Sequence, residues 1–400
     1  MGLNNTPSSE RVHIGFFGRT NTGKSSLINA ITKQEISLVS EVKGTTTDPV
    51  KKAMELLPLG PVVFIDTPGL DDYSLLGDLR QKRTRDVLRQ IHMALLVVDA
   101  IEGMTEIEKQ LEQQLKLDKI PYIVVYNKSD LLPHNTAKKE AALDAVIYVS
   151  AKTGENIEIL KEKIAALRPQ KEEKKLVSDL LEAGDHVILV IPIDKAAPKG
   201  RLILPQQQTI RDILDAGCTL SICQDDKIEE MLQLLQKPPK LIITDSQVFG
   251  KIKQKVPEDI LLTSFSILFA RYKGDLEEAV RGALKLKELQ DGDTVLISEG
   301  CTHHRQCGDI GTQKLPAWIL DYTKKKINFE FTSGENFPSD LLDYKLIIHC
   351  GACMLNEMQV KNRRKLSKEQ HVLMTNYGIV IAQMNGILER SIKPFKDIIL

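Results

Sequence analysis

The sequence predicts an α/β protein of three domains, the first built on a doubly wound parallel sheet and the next two smaller. Two observations lead to this prediction. Strand-like apolar runs alternate with helix-like runs along the chain, as they do in βαβ units. A length of 400 residues also exceeds that of one ordinary domain. The composition, with 42% apolar and 27% charged residues, excludes collagen-like, coiled-coil and largely disordered chains.

The first domain is predicted over residues 1–168. Its strand-like runs are 12–17, 62–65, 94–99, 122–126 and 146–149. Helix-like runs separate them, which favours parallel strands joined by crossover helices. A charged stretch with one proline, 169–177, has no clean apolar stripe and is interpreted as a linker.

The second domain, 178–264, and the third, 265–400, repeat the alternation. In the second we expect strands at 186–191, 219–223 and 240–244, with helices near 206–216 and 227–236. A sheet this small can leave one edge open, and dimerisation is a natural remedy. In the third we expect strands at 294–298, 328–332 and 345–348, with helices near 275–289, 313–325, 354–366 and 376–391.

Charge and hydropathy argue against nucleic-acid and membrane partners. There are 54 basic and 54 acidic side chains, so a dedicated nucleic-acid binder, which is usually strongly basic, is disfavoured. The longest apolar runs, 94–98 and 187–192, fall short of the ~20 residues of a membrane-spanning helix. The chain starts without a basic and then apolar signal, so we expect a cytoplasmic protein with six reduced cysteines.

The strongest motif follows the first predicted strand. Gly18-Arg19-Thr20-Asn21-Thr22-Gly23-Lys24-Ser25 matches the P-loop pattern G-x-x-x-x-G-K-[ST] and opens a helix-like segment at Ser26. The glycines let backbone N–H groups surround phosphates, Lys24 supplies charge to them, and Ser25 supplies an oxygen to Mg²⁺. The predicted ligand is a nucleoside triphosphate.

Three later motifs select the nucleotide. Asp66-Thr67-Pro68-Gly69 places a carboxylate for Mg²⁺ and, at Gly69, an N–H that can sense the γ-phosphate. Asn127-Lys128-Ser129-Asp130 offers the Asp130 carboxylate to the two guanine donors that adenine lacks. Ser150-Ala151-Lys152 is typical of the loop that packs on guanine. Each motif follows a predicted strand, where doubly wound sheets bind ligands, so we expect a Ras-like P-loop GTPase domain that binds GTP and GDP.

The stretch Gly44-Thr45-Thr46-Thr47 and the residue Asn21 resemble the Era/TrmE-like GTPases. The resemblance implies that Thr46 completes the Mg²⁺ shell, with Thr45 and Thr47 as alternatives. It also implies that Asn21 helps to hold K⁺ near the phosphates. Lys24, Thr46, Asp66 and Gly69 are then the catalytic residues. Leu70 stands where Ras-type proteins carry a water-positioning glutamine, so we expect slow hydrolysis that K⁺ or self-association stimulates.

A second constellation combines cysteines and histidines. Cys301-Thr302-His303-His304 follows one predicted strand, and His349-Cys350-Gly351-Ala352-Cys353 follows another. If these strands are neighbours, Cys301, Cys350 and Cys353 meet in one crevice. From the residues alone three states remain open: a tetrahedral zinc site, an iron–sulfur cluster on three thiolates, or buried thiols without a metal.

This C-x-H…H-C-x-x-C pattern, next to an Era/TrmE-like GTPase, resembles the HydF family of [FeFe]-hydrogenase maturation GTPases. The stretch 301–311 is similar to the family's C-x-H-H-R-x-x-x-D-I-G, and 194–202 resembles it as well. The resemblance implies a [4Fe–4S] cluster on Cys301, Cys350 and Cys353. It implies a transient diiron precursor with CO and CN⁻ ligands, delivered to apo-[FeFe]-hydrogenase. It further implies HydE and HydG, two radical-SAM maturases, as upstream partners, and a homodimer formed by the middle domain.

Several points stay open. His303, His349, another nearby side chain or an exchangeable ligand are candidates for the fourth iron ligand, and either histidine could instead lie behind the ligands. Cys307 lies outside the family motif and is interpreted as a buried thiol. GTP is expected to switch partner affinity by ordering 37–48 and 67–80. The alternative function is an RNA-modification or ribosome-assembly GTPase with a structural zinc domain. A redox enzyme that uses a Cys350/Cys353 dithiol is a further alternative.

Overall fold

A computed structural model describes the chain over most of its length. The described residues are 6–32, 50–57, 59–70, 84–133, 145–167, 175–193, 202–274, 276–300, 309–334, 336–352 and 354–395. The chain forms two compact units, residues 1–171 and 172–400. Within the described residues, no helix combines the length and the apolar character needed to cross a bilayer.

The first unit contains a six-stranded sheet in the order β2-β3-β1-β4-β5-β6. Its strands are β1 (Val12–Phe17), β2 (Val50–Leu56), β3 (Gly60–Asp66), β4 (Met93–Asp99), β5 (Tyr122–Asn127) and β6 (Val146–Tyr148). Only the β2–β3 pair is antiparallel. The described helices are α1 (Lys24–Thr32), α2 (Glu106–Leu117) and α3 (Ile157–Ala166).

Both faces of this sheet are covered. Phe16 and Phe17, adjacent in β1, belong to separate apolar cores, because successive strand side chains point to opposite faces. All residues of β1 and β4 are buried, as expected for central parallel strands with helices on both sides. The doubly wound Ras-like arrangement predicted from the sequence is therefore confirmed.

The second unit contains two four-stranded parallel sheets. The order β10-β9-β7-β8 joins β7 (His186–Val190), β8 (Thr219–Cys223), β9 (Leu241–Thr244) and β10 (Leu261–Ser264). The order β12-β11-β13-β14 joins β11 (Thr294–Glu299), β12 (Asn328–Ser333), β13 (Leu346–His349) and β14 (Met374–Asn376). One apolar core runs under both sheets, from Leu176 to Phe395.

Helices pack on the two sheets of the second unit. They are α4 (Leu204–Asp215), α5 (Ile228–Leu234), α6 (Phe249–Lys255), α7 (Phe265–Lys273), α8 (Leu276–Leu284), α9 (Leu315–Thr323), α10 (Glu357–Glu369), α11 (Tyr377–Met384) and α12 (Leu388–Ile392). The prediction of a single helix near 376–391 is wrong, because Asn385 and Gly386 divide this segment into α11 and α12. Gly386 has a φ of +61°, which ends α11 before α12 begins.

Candidate functional site

The P-loop lies between β1 and α1 and closes around Lys24. The Lys24 Nζ donates hydrogen bonds to the carbonyl oxygens of Gly18 at 2.9 Å and Arg19 at 2.8 Å. A side chain at Gly18 would place its Cβ 2.2 Å from the Val97 carbonyl oxygen, so only glycine fits there. The ammonium group thus lies inside the loop, where phosphate oxygens can take the place of these carbonyls as acceptors.

Two oxygen donors for Mg²⁺ lie side by side. The Ser25 hydroxyl donates to Asp66 Oδ2 at 2.6 Å. Burial raises the pKa of Asp66, against the opposing effects of Ser25 and Lys24. The Asp66 Oδ1 atom is buried and has no hydrogen-bond partner among the described residues. A buried carboxylate oxygen of this kind fits an Mg²⁺ site of oxygen ligands. Thr46, the third predicted Mg²⁺ residue, lies outside the described residues.

A cavity of about 660 Å³ lies next to the P-loop. The P-loop, helix α1 and the two predicted base-binding stretches line it: Gly23, Ser26, Asn29, Ala30, Asn127, Lys128, Asp130, Leu131, Ala151 and Lys152. Its size suits a purine base with its sugar. The predicted base-binding motifs therefore meet at one pocket, although they are far apart in the chain.

Asn127 joins two walls of this pocket. Its Nδ2 donates to the Thr22 carbonyl at 2.9 Å, and its Oδ1 accepts from the Ala151 N–H at 3.0 Å. Asp130 Oδ1 accepts from the Ser150 hydroxyl at 2.7 Å, which orients the carboxylate. The arrangement places an oriented acceptor at the pocket, as guanine recognition requires.

Lys128 also has a fixed position in this loop. Its backbone has a φ of +67°, and its Nζ donates to Asp99 Oδ2 at 2.6 Å. Burial alone would raise the pKa of Asp99, but the hydrogen bond from Lys128 and backbone N–H donors lower it overall. Asp99 therefore remains a carboxylate that anchors this lysine.

Sequence reasoning missed the two carboxylates that pair with Arg19 of the P-loop. Its guanidinium contacts Glu108 Oε1 at 3.3 Å and Glu102 Oε2 at 2.7 Å. Glu108 is fully buried, and its Oε2 accepts from the N–H and the hydroxyl of Thr105, where α2 begins. The capping-box pattern T-x-x-E at 105–108 could have indicated the role in α2, although not the contact with the P-loop.

The segment after β3 carries two predicted residues. Gly69 lies beside the P-loop, and the N–H of the next residue, Leu70, donates to the Gly18 carbonyl at 3.2 Å. The Leu70 side chain packs against an apolar core. This position therefore presents no group that could orient water, as the sequence predicts.

The cysteine motif lies at the carboxyl ends of neighbouring strands in the second unit. β11 pairs with β13 in a register that sets Ser298 opposite His349. The Gly300 N–H points to the Cys350 Sγ at 2.9 Å, and the Ala352 N–H points to the same atom at 3.4 Å. Backbone N–H donors stabilise a thiolate, which is the form in which cysteine binds zinc or an iron–sulfur cluster, so Cys350 fits either group.

The other predicted residues of this motif are not described. Cys301, His303, Cys307 and Cys353 lie outside the described residues. Within the described part of the chain, no three side chains among His, Cys, Asp and Glu are grouped as a metal site. Gly300, which precedes Cys301, and Ala352, which precedes Cys353, both contact the Cys350 sulfur.

His349 uses both ring nitrogens. Its Nε2 lies 2.7 Å from Arg363 Nη1, and its Nδ1 lies 2.9 Å from the Cys350 carbonyl oxygen. Because arginine only donates and a carbonyl only accepts, Nε2 is the acceptor and Nδ1 carries the proton. Burial, reinforced by the Arg363 charge, lowers the pKa of His349 to about 3, so the ring is neutral.

Arg363 is a second residue that sequence reasoning missed. It is buried, and its Nη2 donates to the Gly334 carbonyl at 2.6 Å, while Nη1 reaches Ser298 Oγ at 3.3 Å. The guanidinium also stacks over Phe337 at 4.9 Å. It therefore ties together the carboxyl ends of three strands around the cysteine motif.

Family models cover most of the chain. The model of the hydrogen maturase F dimerization domain matches residues 176–274. The model of the hydrogen maturase F tetramerization domain matches 277–394. A model described as 50S ribosome-binding GTPase matches 13–128. The two maturase models together cover more than half of the 400 residues.

Curated relatives match part of the chain. GTPase Der of Campylobacter jejuni is 35% identical over 166 residues, which is 38% of this chain and 36% of that protein. The tRNA modification GTPase MnmE of Nitrosospira multiformis is 37% identical over 155 residues, or 37% and 33% of the two chains. The chain thus spans about a third of the length of these relatives. Among solved structures, Aquifex aeolicus Era bound to GDP and AlF4⁻ matches with 21% identity and a TM-score of 0.35, over 56% of this chain and 98% of that one.

Proposed function

This chain belongs to the hydrogen maturase F family, and we propose that it acts as the scaffold and carrier of [FeFe]-hydrogenase maturation in the cytoplasm. It binds a [4Fe–4S] cluster through Cys301, Cys350 and Cys353. It carries a diiron precursor as cargo from HydE and HydG to apo-[FeFe]-hydrogenase. Binding and hydrolysis of GTP switch its affinity for these partners.

The observation that carries this proposal is the environment of Cys350. The N–H of Gly300 donates to the Cys350 sulfur, which draws the residue before Cys301 to the C-x-x-C turn. A [4Fe–4S] cluster supplies a compact inorganic centre that binds thiolates and can exchange an outer ligand. We place His349 behind Cys350 rather than on the iron, because Arg363 and the Cys350 carbonyl engage both of its ring nitrogens. His303 stays the candidate for the fourth ligand.

Metal analysis tests the cluster. The chain is purified without oxygen, and iron, sulfide and zinc are measured together with the EPR spectrum of the reduced sample. We expect about four irons and four sulfides per chain, lost in Cys350→Ala. Cys218→Ala is the matched control, because Cys218 is a buried thiol of the other sheet in the second unit. Zinc without sulfide would instead favour an RNA-acting GTPase with a structural zinc domain.

The first unit is a Ras-like P-loop GTPase domain, and we propose a hydrolysis mechanism based on positioning. Lys24 neutralises phosphate charge, and Ser25, Thr46 and Asp66 hold Mg²⁺. The Gly69 N–H senses the γ-phosphate. Loss of the Ser25 hydroxyl should abolish Mg²⁺-dependent hydrolysis in Ser25→Ala. Thr32→Ala is the control, because its hydroxyl lies at the other end of α1 and bonds the Asn29 carbonyl.

Asn21 is proposed to hold a monovalent cation beside the phosphates. Its backbone lies in the left-handed region, with a φ of +63°, and this P-loop residue is exposed. Phosphate release is measured in K⁺ and in Na⁺ at equal ionic strength. Faster hydrolysis in K⁺, lost in Asn21→Ala, is the expected result. Equal rates in the two salts would remove K⁺ from the proposal.

Dimerisation is proposed at the β8 edge of the second unit. The opposite edge strand, β10, is covered, because α12 packs against it and Arg390 of α12 bonds the Val256 and Ile260 carbonyls that precede it. The Thr219 N–H and the Cys223 carbonyl point to β7, so alternation turns the backbone groups of Ile222 outward. Ile222 is 44% exposed.

An outward N–H allows a sharp test of this edge. Proline at Ile222 removes that donor without removing a bond to β7, and edge strands tolerate such a proline. We expect Ile222→Pro to be monomeric by light scattering, whereas Ile222→Thr, which keeps the N–H, stays dimeric. A dimeric proline variant would place the interface elsewhere.

A further inference from the structure

The turn after β13 has a backbone that needs external support. Ala352 has a φ of +52°, although it carries a Cβ, and its methyl group is buried with Leu355 and Val360. A left-handed conformation is unfavourable for a non-glycine residue and persists where surrounding contacts hold it. This conformation directs the Ala352 N–H to the Cys350 sulfur.

Lys273, the last residue of α7, supplies such a contact. Its Nζ donates to the Ala352 carbonyl at 2.8 Å and lies 3.4 Å from the Leu355 carbonyl. Its ammonium also lies 5.9 Å from the centre of the Phe269 ring. One cation from a helix 79 residues earlier in the chain thus binds the carbonyl of the strained residue itself.

We propose that Lys273 is a positioning residue of the cluster site. It holds the Ala352 carbonyl, and with it the left-handed backbone that points the Ala352 N–H to the Cys350 sulfur. Hydrogen bonds to a ligating sulfur and nearby positive charge stabilise the more negative, reduced state of an iron–sulfur cluster. Lys273 therefore raises the reduction potential and slows iron loss. This inference rests on the cluster site proposed above.

Lys273→Met tests the idea, since it keeps the length of the side chain and removes the donor and the charge. We expect release of iron to a chelator to accelerate roughly 10-fold to 100-fold, and the midpoint potential from an EPR titration to fall. Lys273→Arg should restore much of both, because it retains a cationic donor. Lys285→Met is the control, because Lys285 pairs with Glu288 away from this turn.

A second measurement needs no cluster. In the metal-free chain, hydrogen–deuterium exchange of a peptide that spans 349–356 reports the turn, and the remaining peptides report whether the variant is folded. Loss of the charged hydrogen bond should speed exchange in this peptide roughly tenfold in Lys273→Met.

The outcomes separate this inference from the proposed function. If the unaltered chain holds a cluster, and Lys273→Met matches Lys285→Met in iron release and potential, the positioning role is wrong. If the unaltered chain holds no cluster, the proposed function fails. The effect of Lys273 on potential and iron loss then fails with it, and the exchange measurement decides only whether Lys273 holds the turn, which an unchanged turn in Lys273→Met would contradict.

Discussion

Replacement of Gly23 by alanine should weaken GTP binding, because the new methyl group collides with Asn127. A Cβ at Gly23 would lie 2.3 Å from Asn127 Nδ2, well inside van der Waals contact. That amide donates to the Thr22 carbonyl, and its oxygen accepts from Ala151. A displaced Asn127 therefore disconnects the P-loop from the loop that packs on guanine.

The magnitude follows from the two hydrogen bonds at risk. Each contributes about 0.5–1.5 kcal/mol, so their loss costs about 1–3 kcal/mol, or roughly a 5-fold to 150-fold rise in Kd for GTP. Gly23 also has a φ of +87°, where alanine is strained by about 1–2 kcal/mol. That strain lowers the stability of the first unit.

A matched control separates the two effects. Gly60 has a φ of +90°, and a Cβ there would meet nothing within 4 Å. Gly60→Ala should therefore lower the thermal stability as Gly23→Ala does and leave the Kd for GTP unchanged. Binding is measured by fluorescence titration with a labelled GTP. A Kd for Gly23→Ala within twofold of that for Gly60→Ala would refute the collision.

Three further results are expected. Asp130→Asn should weaken GTP binding roughly 10-fold to 150-fold, because it removes the charge and replaces one acceptor oxygen by an NH₂ donor that faces a guanine donor. Xanthosine triphosphate should then bind better than GTP in a competition assay. Glu108→Gln should lower the unfolding free energy of the first unit by about 1–3 kcal/mol in a denaturant titration, whereas Glu106→Gln, at an exposed position of α2, should change it by under about 0.5 kcal/mol. Burial, with the charge of Asp225 and a neighbouring aspartate, raises the pKa of Cys223 to about 11. Its alkylation at pH 8 should therefore be roughly 100-fold slower than that of an ordinary exposed thiol, and Asp225→Asn should speed it. Rapid labelling of the unaltered chain, followed by mass spectrometry, would contradict this.

The sequence predicted eleven of the fourteen described strands and missed β2, β10 and β14. β1 and β4 are mostly apolar runs, interrupted by His13 in β1 and ended by Asp99 in β4, and their bounds follow from the sequence to within one residue. β10 and β14, of four and three residues, end in polar side chains and lack the apolar run that indicates the equally short β9 and β13. β2 begins with exposed residues at the edge of the sheet and carries two lysines, so it lacks the apolar signal of its neighbours.

Local motifs revealed the nucleotide site because each motif carries its own chemistry. Lys24, Asp66 and Asp130 stand in contiguous patterns, and the sheet then brings the patterns together. The supporting residues lack such a pattern. Arg363 lies 14 residues after His349, and Lys273 lies 79 residues before Ala352, so only the folded chain identifies them as partners.

The topology of the third sheet explains why the two halves of the cysteine motif can face one crevice. In the order β12-β11-β13-β14, the chain leaves β11 toward β12 on one side and returns to β13 on the other. The carboxyl ends of β11 and β13 therefore flank the point where the strand order reverses, which is where parallel sheets bind ligands. In the first unit, β1 likewise lies between β3 and β4, and the P-loop follows it. The contact between Gly300 and Cys350, 50 residues apart, is the consequence of this reversal in the second unit.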